Sequence, residues 1–208
     1  MEEKADTKTR VGVIGGSFDP IHFGHLVTAE AARVKFGLDK VVFIPTARSP
    51  VKKSTAASAQ ERYLMTVLAT AANVNFEVSR MEIERGEPSY TIDTLVAQKR
   101  EYGESTQLYF ITGADAVLDI LTWRDSERLS GVAQFIAATR PGYDLAQLNK
   151  ISSKTKDLPQ IHVLEIPALA ISSTDLRRRI MEGLSIRYLV PDSVEAFISK
   201  SRLYICDG

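Results

Sequence analysis

The stretch Gly15-Gly16-Ser17-Phe18-Asp19-Pro20-Ile21-His22-Phe23-Gly24-His25 places two of the chain's three histidines three residues apart among glycines. Imidazoles at that spacing around a helix start can point to one spot. Each ring N–H can donate to a phosphate oxygen, more strongly when protonated. Gly15 and Gly16 let the backbone come close to a ligand with its N–H groups exposed. Gly24 and His25 would open a helix whose free N–H groups and positive dipole end favour an anion. The pattern is neither GxxxxGK[ST] nor GxGxxG, so the cationic role would fall to imidazole rather than lysine. Metal ligation by Asp19, His22 and His25 is the competing chemistry; it needs further ligands, and His162 and Cys206 are the softer candidates left. Asp19-Pro20 itself reads as a turn former.

A second group lies far along the chain, in Ser172-Ser173-Thr174-Asp175-Leu176-Arg177. Its hydroxyls and backbone N–H groups could take a phosphate. Arg177, three residues beyond Thr174, would share its helix face. Ser172-x-x-Asp175 fits a capping box equally well, so both readings stand. Arg178 and Arg179 read as solvated charges.

The elements that must position these groups alternate. Short apolar runs at 11–15, 41–45, 107–113, 132–140 and 161–167 read as strands, with a further strand starting at 75 and running into an irregular segment. Helical patterns fall at 25–36, 61–72, 91–102, 172–183 and 193–203, with a short one at 114–120. In the first helix Leu26, Ala29 and Val34 are placed to face a core, and Gly37 would cap its C-terminus. Thr91 reads as a helix cap with Asp93 in the first turn. Strands separated by helices imply an α/β fold of three layers with a parallel sheet. In such a sheet ligands bind beyond the strands' carboxyl ends, near the reversal of strand order. The first histidine-bearing turn leaves a strand at such an end.

Composition sets the outer bounds. The 208 residues, 44% apolar and 25% charged, suit a single domain over 11–208 behind a charged, frayed tail over 1–10. Lys+Arg and Asp+Glu both number 26, which gives no support to a protein that coats nucleic acid. One cysteine excludes an internal disulfide. No apolar run reaches the roughly 18 residues that span a bilayer. A cytoplasmic protein with no membrane partner is expected. Residues 149–160 read as a surface segment.

Gly16-Ser17-Phe18-Asp19-Pro20-Ile21-His22-Phe23-Gly24-His25 resembles the H-x-G-H signature of the nucleotidylyltransferases, and Ser172-Ser173-Thr174-x-x-Arg177 resembles their S-x-T-x-x-R signature. Pro88-Ser89-Tyr90-Thr91-Ile92-Asp93-Thr94-Leu95 and the segment 111–123 make the closer likeness one to the bacterial nicotinate-nucleotide adenylyltransferases, over about residues 11 to 205. The resemblance implies a Rossmann-like nucleotidyltransferase fold and transfer of AMP from ATP to nicotinate mononucleotide, with Mg²⁺ on the triphosphate. It implies His22, His25 and Arg177 as catalytic residues. It implies ATP contacts at Gly15, Gly16, Ser17, Phe18, His22, Gly24, His25, Gly113, Asp115, Ser172, Ser173, Thr174 and Arg177. Thr91, Trp123 and Arg124 would hold the pyridine nucleotide, Trp123 by stacking. Ser49-Pro50-Val51-Lys52 aligns with a P-P-H-K loop of many relatives but lacks its histidine. Lys52 and Lys53 remain there as cations, with Lys52 as a substrate contact. A cytidylyl- or adenylyltransferase for another phosphorylated acceptor, or a nucleotide sensor without activity, would share the two phosphate motifs.

Overall fold

The computed structural model describes residues 8–47, 54–142, 158–167 and 169–205. The expectations for Lys52, Lys53, Cys206 and residues 149–157 lie outside them. Six strands, β1 (Arg10–Gly16), β2 (Lys40–Pro45), β3 (Phe76–Val78), β4 (Gln107–Gly113), β5 (Gln134–Thr139) and β6 (Ile161–Glu165), form one sheet in the order β3-β2-β1-β4-β5-β6. Every neighbouring pair is parallel. Strand order therefore reverses between β1 and β4, and the histidine turn leaves β1 at that point.

The helices are α1 (Phe23–Phe36), α2 (Ala59–Thr70), α3 (Met81–Arg85), α4 (Thr91–Tyr102), α5 (Ala114–Leu118), α6 (Ser173–Met181) and α7 (Asp192–Lys200), with 3₁₀ turns at Ile120–Thr122 and Ser126–Gly131. The pleat sorts the strands' side chains onto two cores. Ile14, Phe43, Ile111 and Ile136 pack with Ala29 and Ala32 of α1, Met65 of α2 and Val194 and Ile198 of α7. Val11, Val13, Ile44 and Phe135 pack on the other face with Ile92 and Leu95 of α4 and Leu129. Each of these valine, leucine, isoleucine, phenylalanine and methionine side chains contributes about 1.5–3 kcal/mol when fully buried, so both layers are firmly attached to the sheet.

Four expectations change. Arg10, expected in the tail, opens β1. Val34 is 65% exposed; Ala29 and Ala32 carry the core face of α1 instead. Thr91 is the first helical residue rather than the cap: extended Tyr90 precedes it, and the Tyr90 carbonyl accepts from Thr94 N at 3.2 Å. The irregular stretch after β3 is the short helix α3. Gly37 closes α1 as expected, in the left-handed region at φ 59°, where a side chain would be strained.

Candidate functional site

Two cavities meet at the carboxyl ends of β1 and β4, sharing Gly15 and Thr112 as common wall. The first, about 640 Å³, carries His22, Gly24 and His25 from the histidine turn, Gly113 and Asp115 from the start of α5, and Ser172 from the start of α6. The second, about 710 Å³, carries Gly16 and Ser17, Thr91 of α4, and Trp123 with Arg124. Both have the size of small-molecule sites. The residues assigned to the pyridine nucleotide line the second space, and most of the ATP-assigned residues that line a cavity line the first; Gly16 and Ser17, also assigned to ATP, line the second, and Gly15 lines both.

The histidine turn is built tightly. Phe18 turns the backbone through the left-handed region at φ 47°, and the Asp19–Pro20 peptide is cis. His22 is the N-cap of α1, and its backbone N–H donates to His25 Nδ1 at 3.2 Å. The two rings stack with centroids 3.8 Å apart and 29° between planes. Gly24 makes this possible: a Cβ there would stand 3.0 Å from Nδ1 and Cε1 of His22. Thr28 Oγ1 closes the first turn by donating to the Gly24 carbonyl at 2.8 Å.

His22 differs from the cation read in the sequence. It is 6% exposed, and burial lowers its pKa from 6.5 to about 4. At neutral pH it is an uncharged ring, because desolvation disfavours the imidazolium. Its Nδ1 is buried without a hydrogen-bond partner among the described residues. A neutral donor and two helix N-termini, not a pair of imidazolium ions, therefore prepare the site for an anion.

Asp19 and Arg177 organise the back of the turn. Arg177 Nη1 donates to the Asp19 carbonyl at 2.7 Å and lies 3.8 Å from Asp19 Oδ2. Ser173 Oγ donates to the Pro20 carbonyl at 2.9 Å. The two phosphate motifs are thus joined, 158 residues apart in sequence. The Asp19 carboxylate accepts from Ala56 N at 2.8 Å, Ala57 N at 3.1 Å and Tyr204 Oη at 2.9 Å. Burial, reinforced by Asp19, pushes the Tyr204 hydroxyl pKa up, so the phenol stays a donor. Those bonds take the Asp19 carboxylate away from His22 and His25, and no group of three His, Cys, Asp or Glu side chains suited to a metal occurs among the described residues. Arg62 is fully buried beneath them and donates to the carbonyls of Ser17, Ala47 and Ala57 at 2.6, 3.3 and 3.3 Å.

Other assignments sort differently. Ser172 lines the first cavity and caps α6, its Oγ accepting from Asp175 N at 3.1 Å. The reciprocal half of a capping box is absent, since the Asp175 carboxylate takes Arg178 and Arg179. Those two arginines are therefore ion-paired on the helix surface. Phe18, Ser173, Thr174 and Arg177 line neither cavity among the described residues. Phe18 is instead core: 1% exposed, edge-on to His25 at 5.1 Å and against Phe43.

In the second cavity Trp123 is half-buried, its ring edge-to-face with Phe110 at 6.1 Å and 89°. The Arg124 guanidinium lies 4.6 Å over the Tyr90 ring. Glu82 of α3, 5% exposed, was not legible as a site residue. Its Oε1 accepts from Thr94 Oγ1 at 2.6 Å. Burial raises its carboxyl pKa, opposed by Thr94, Ser89, Arg85 and Thr46. Arg140, a cation in the first cavity, was missed too; its place just beyond the end of β5 was the available signal.

The chain is similar to known proteins over most of its length. The sequence model of the cytidylyltransferase-like family matches residues 13–179. A protein of Moorella thermoacetica named "Probable nicotinate-nucleotide adenylyltransferase" is 55% identical over 201 residues, 94% of this chain and 91% of its own. One of Thermoanaerobacter with the same name is 51% identical over 202 residues, 96% of each chain. The nicotinic acid mononucleotide adenylyltransferase of Plasmodium falciparum, solved in complex with NaAD, superposes with a TM-score of 0.76 over 94% of this chain and 97% of its own. At 22% identity, that likeness bears on the fold alone.

Proposed function

The chain belongs to the cytidylyltransferase-like family and, within it, to the nicotinate-nucleotide adenylyltransferases, and on that footing we propose that its first cavity takes ATP and its second the acceptor mononucleotide. The reaction is transfer of the adenylyl group of ATP to nicotinate mononucleotide, giving nicotinate adenine dinucleotide and pyrophosphate in NAD biosynthesis. The observation that carries the assignment of cavities is their common wall, Gly15 and Thr112, with stacked histidines on one side and Trp123 on the other.

The acceptor's 5′-phosphate is already a nucleophile at neutral pH and needs no general base. Its oxygen forms the new bond to the α-phosphorus as the bond to the β-phosphate oxygen breaks, and the electron pair leaves with pyrophosphate. No covalent enzyme intermediate intervenes. Chemistry of this kind rests on alignment and on cancelling anionic repulsion. Orientation accounts for roughly 7–11 kcal/mol of such a barrier.

The residues divide that work. His22 and His25, with the N-terminus of α1, donate to the α- and β-phosphates. Gly113 and Asp115 stand by the adenosine ribose. Arg177 keeps its Nη1 on Asp19 and offers its remaining N–H donors, with the backbone N–H groups of Ser173 and Thr174 at the start of α6, to the departing pyrophosphate. Backbone groups of Gly16–Phe18 join the histidine pair in stabilising charge on the α- and β-phosphates. Thr91, Trp123 and Arg124 hold the pyridine, with the ring against the indole. Mg²⁺ would enter with ATP, held chiefly by phosphate oxygens and water, as this ion commonly is. We place the reaction in the cytoplasm, within a single domain over 11–208.

The test is direct. Purified protein mixed with MgATP and nicotinate mononucleotide should release pyrophosphate and form the dinucleotide in equal amounts. Binding of ATP without pyrophosphate release would reduce the protein to a nucleotide sensor. Release with a different phosphorylated acceptor only would move the acceptor assignment.

A further inference from the structure

The acceptor cavity contains two buried polar atoms that its own protein does not satisfy. Ser89 and Thr46 lie close enough to Glu82 to favour its charged form, yet neither Glu82 Oε2 nor Ser89 Oγ makes a hydrogen bond of good geometry among the described residues. Glu82 is 5% and Ser89 8% exposed, and both line the cavity that also holds Gly16, Ser17 and Trp123. Thr46, from the same lining, is bonded through its N–H to the Gly16 carbonyl at 2.9 Å, so this wall adjoins the phosphate turn. Leaving a buried acceptor unmatched is unfavourable, about 1–3 kcal/mol for a neutral group and more for a charged one. Such atoms in a cavity wall point to a ligand group.

Which group follows from donor chemistry. Glu82 Oε1 is already committed to Thr94 Oγ1 at 2.6 Å, which orients the carboxyl and leaves Oε2 as the acceptor. On the acceptor reading above, the ligand has three parts. Its phosphate and its nicotinate carboxylate are anions that only accept hydrogen bonds, and a carboxylate repels both. The pyridinium ring has no N–H. The two ribose hydroxyls are its only donors. We propose that Glu82 is a specificity-determining residue that accepts a ribose hydroxyl of the acceptor nucleotide at Oε2, with the Ser89 hydroxyl sharing that sugar. The inference rests on the assignment of this cavity to the acceptor.

The experiment pairs Glu82→Gln with acceptor analogues lacking the 2′- or 3′-hydroxyl. Gln keeps the shape and can still accept from Thr94. With the natural acceptor, Glu82→Gln should raise KM about 10-fold or more, the order of a charge-assisted bond, with KM for ATP unchanged. With one of the two deoxy analogues that penalty should disappear. Ser89→Ala should give a smaller, roughly threefold, version of the same pattern and keeps the test open should the glutamine variant not fold, as judged by its thermal midpoint. An equal penalty on natural and both deoxy acceptors overturns the proposal. That would be the outcome if a protonated Glu82 donated to the nicotinate carboxylate instead. Wild-type protein that adenylylates no nicotinate mononucleotide at all is the separate failure of the underlying functional reading.

Discussion

Arg177 Nη1 sits 2.7 Å from the carbonyl oxygen of Asp19, so the helix that opens with the second phosphate motif holds the turn that carries the first. The guanidinium is three-quarters buried, with 27% side-chain exposure. Its contribution is to position as much as to neutralise. Arg177→Ala should therefore lower stability by about 1.5–3 kcal/mol, the range for a hydrogen bond involving a charged group, and also raise KM for ATP. Urea unfolding and steady-state kinetics measure the two losses. Unchanged ATP kinetics in a destabilised variant would leave Arg177 only its clasp on Asp19.

His25→Ala removes one preorganised donor from the developing charge. Turnover should fall by about 10²–10³-fold, the usual penalty for such a donor, with KM for the acceptor little altered. Near-normal turnover in a folded variant takes His25 out of the mechanism.

His22 makes stability depend on pH. Its pKa is about 4 in the folded protein against 6.5 for an ordinary imidazole, so between those values the unfolded chain binds more protons. Stability then rises with pH across that window and is lost as pH falls, by roughly 3 kcal/mol at pH 4. Replacing the ring tests this by difference: the gap between wild-type and His22→Gln unfolding free energies should shrink in the wild type's disfavour from pH 7.5 to pH 4. A constant gap would mean that His22 does not titrate in this way.

Trp123→Ala should hurt the pyridine substrate selectively. Stacking of a ring on an aromatic side chain is worth about 1–3 kcal/mol, so KM for nicotinate mononucleotide should rise 5-fold or more while KM for ATP holds. Equal losses for both substrates would assign Trp123 to the core through Phe110 and Phe135 rather than to the ligand.

What the sequence disclosed follows from the range of the interactions concerned. The bounds of β4 and α4 are those read from periodicity, because a buried strand and an amphipathic helix announce themselves locally. The strand-end location of His22 and His25 was legible for the same reason. The charge of His22 was not, since it depends on a ring packed against Gly24 and stacked on His25. Phe18 looked like part of a phosphate loop, but its side chain points back to Phe43. Asp19 looked like a turn residue and is also a buried hub, because Ala56, Ala57 and Tyr204 reach it only in the folded chain. Glu82 and Arg62 carried no site signal in the sequence; tertiary packing buries them both.

The Tyr204 hydroxyl bond to Asp19 spans 185 residues. A ribosome releases the histidine turn long before its phenol anchor, so the turn stays untethered on that side until Tyr204 has emerged and folded back. Loss of the Tyr204 hydroxyl would loosen the catalytic end of the sheet without touching a residue that meets substrate.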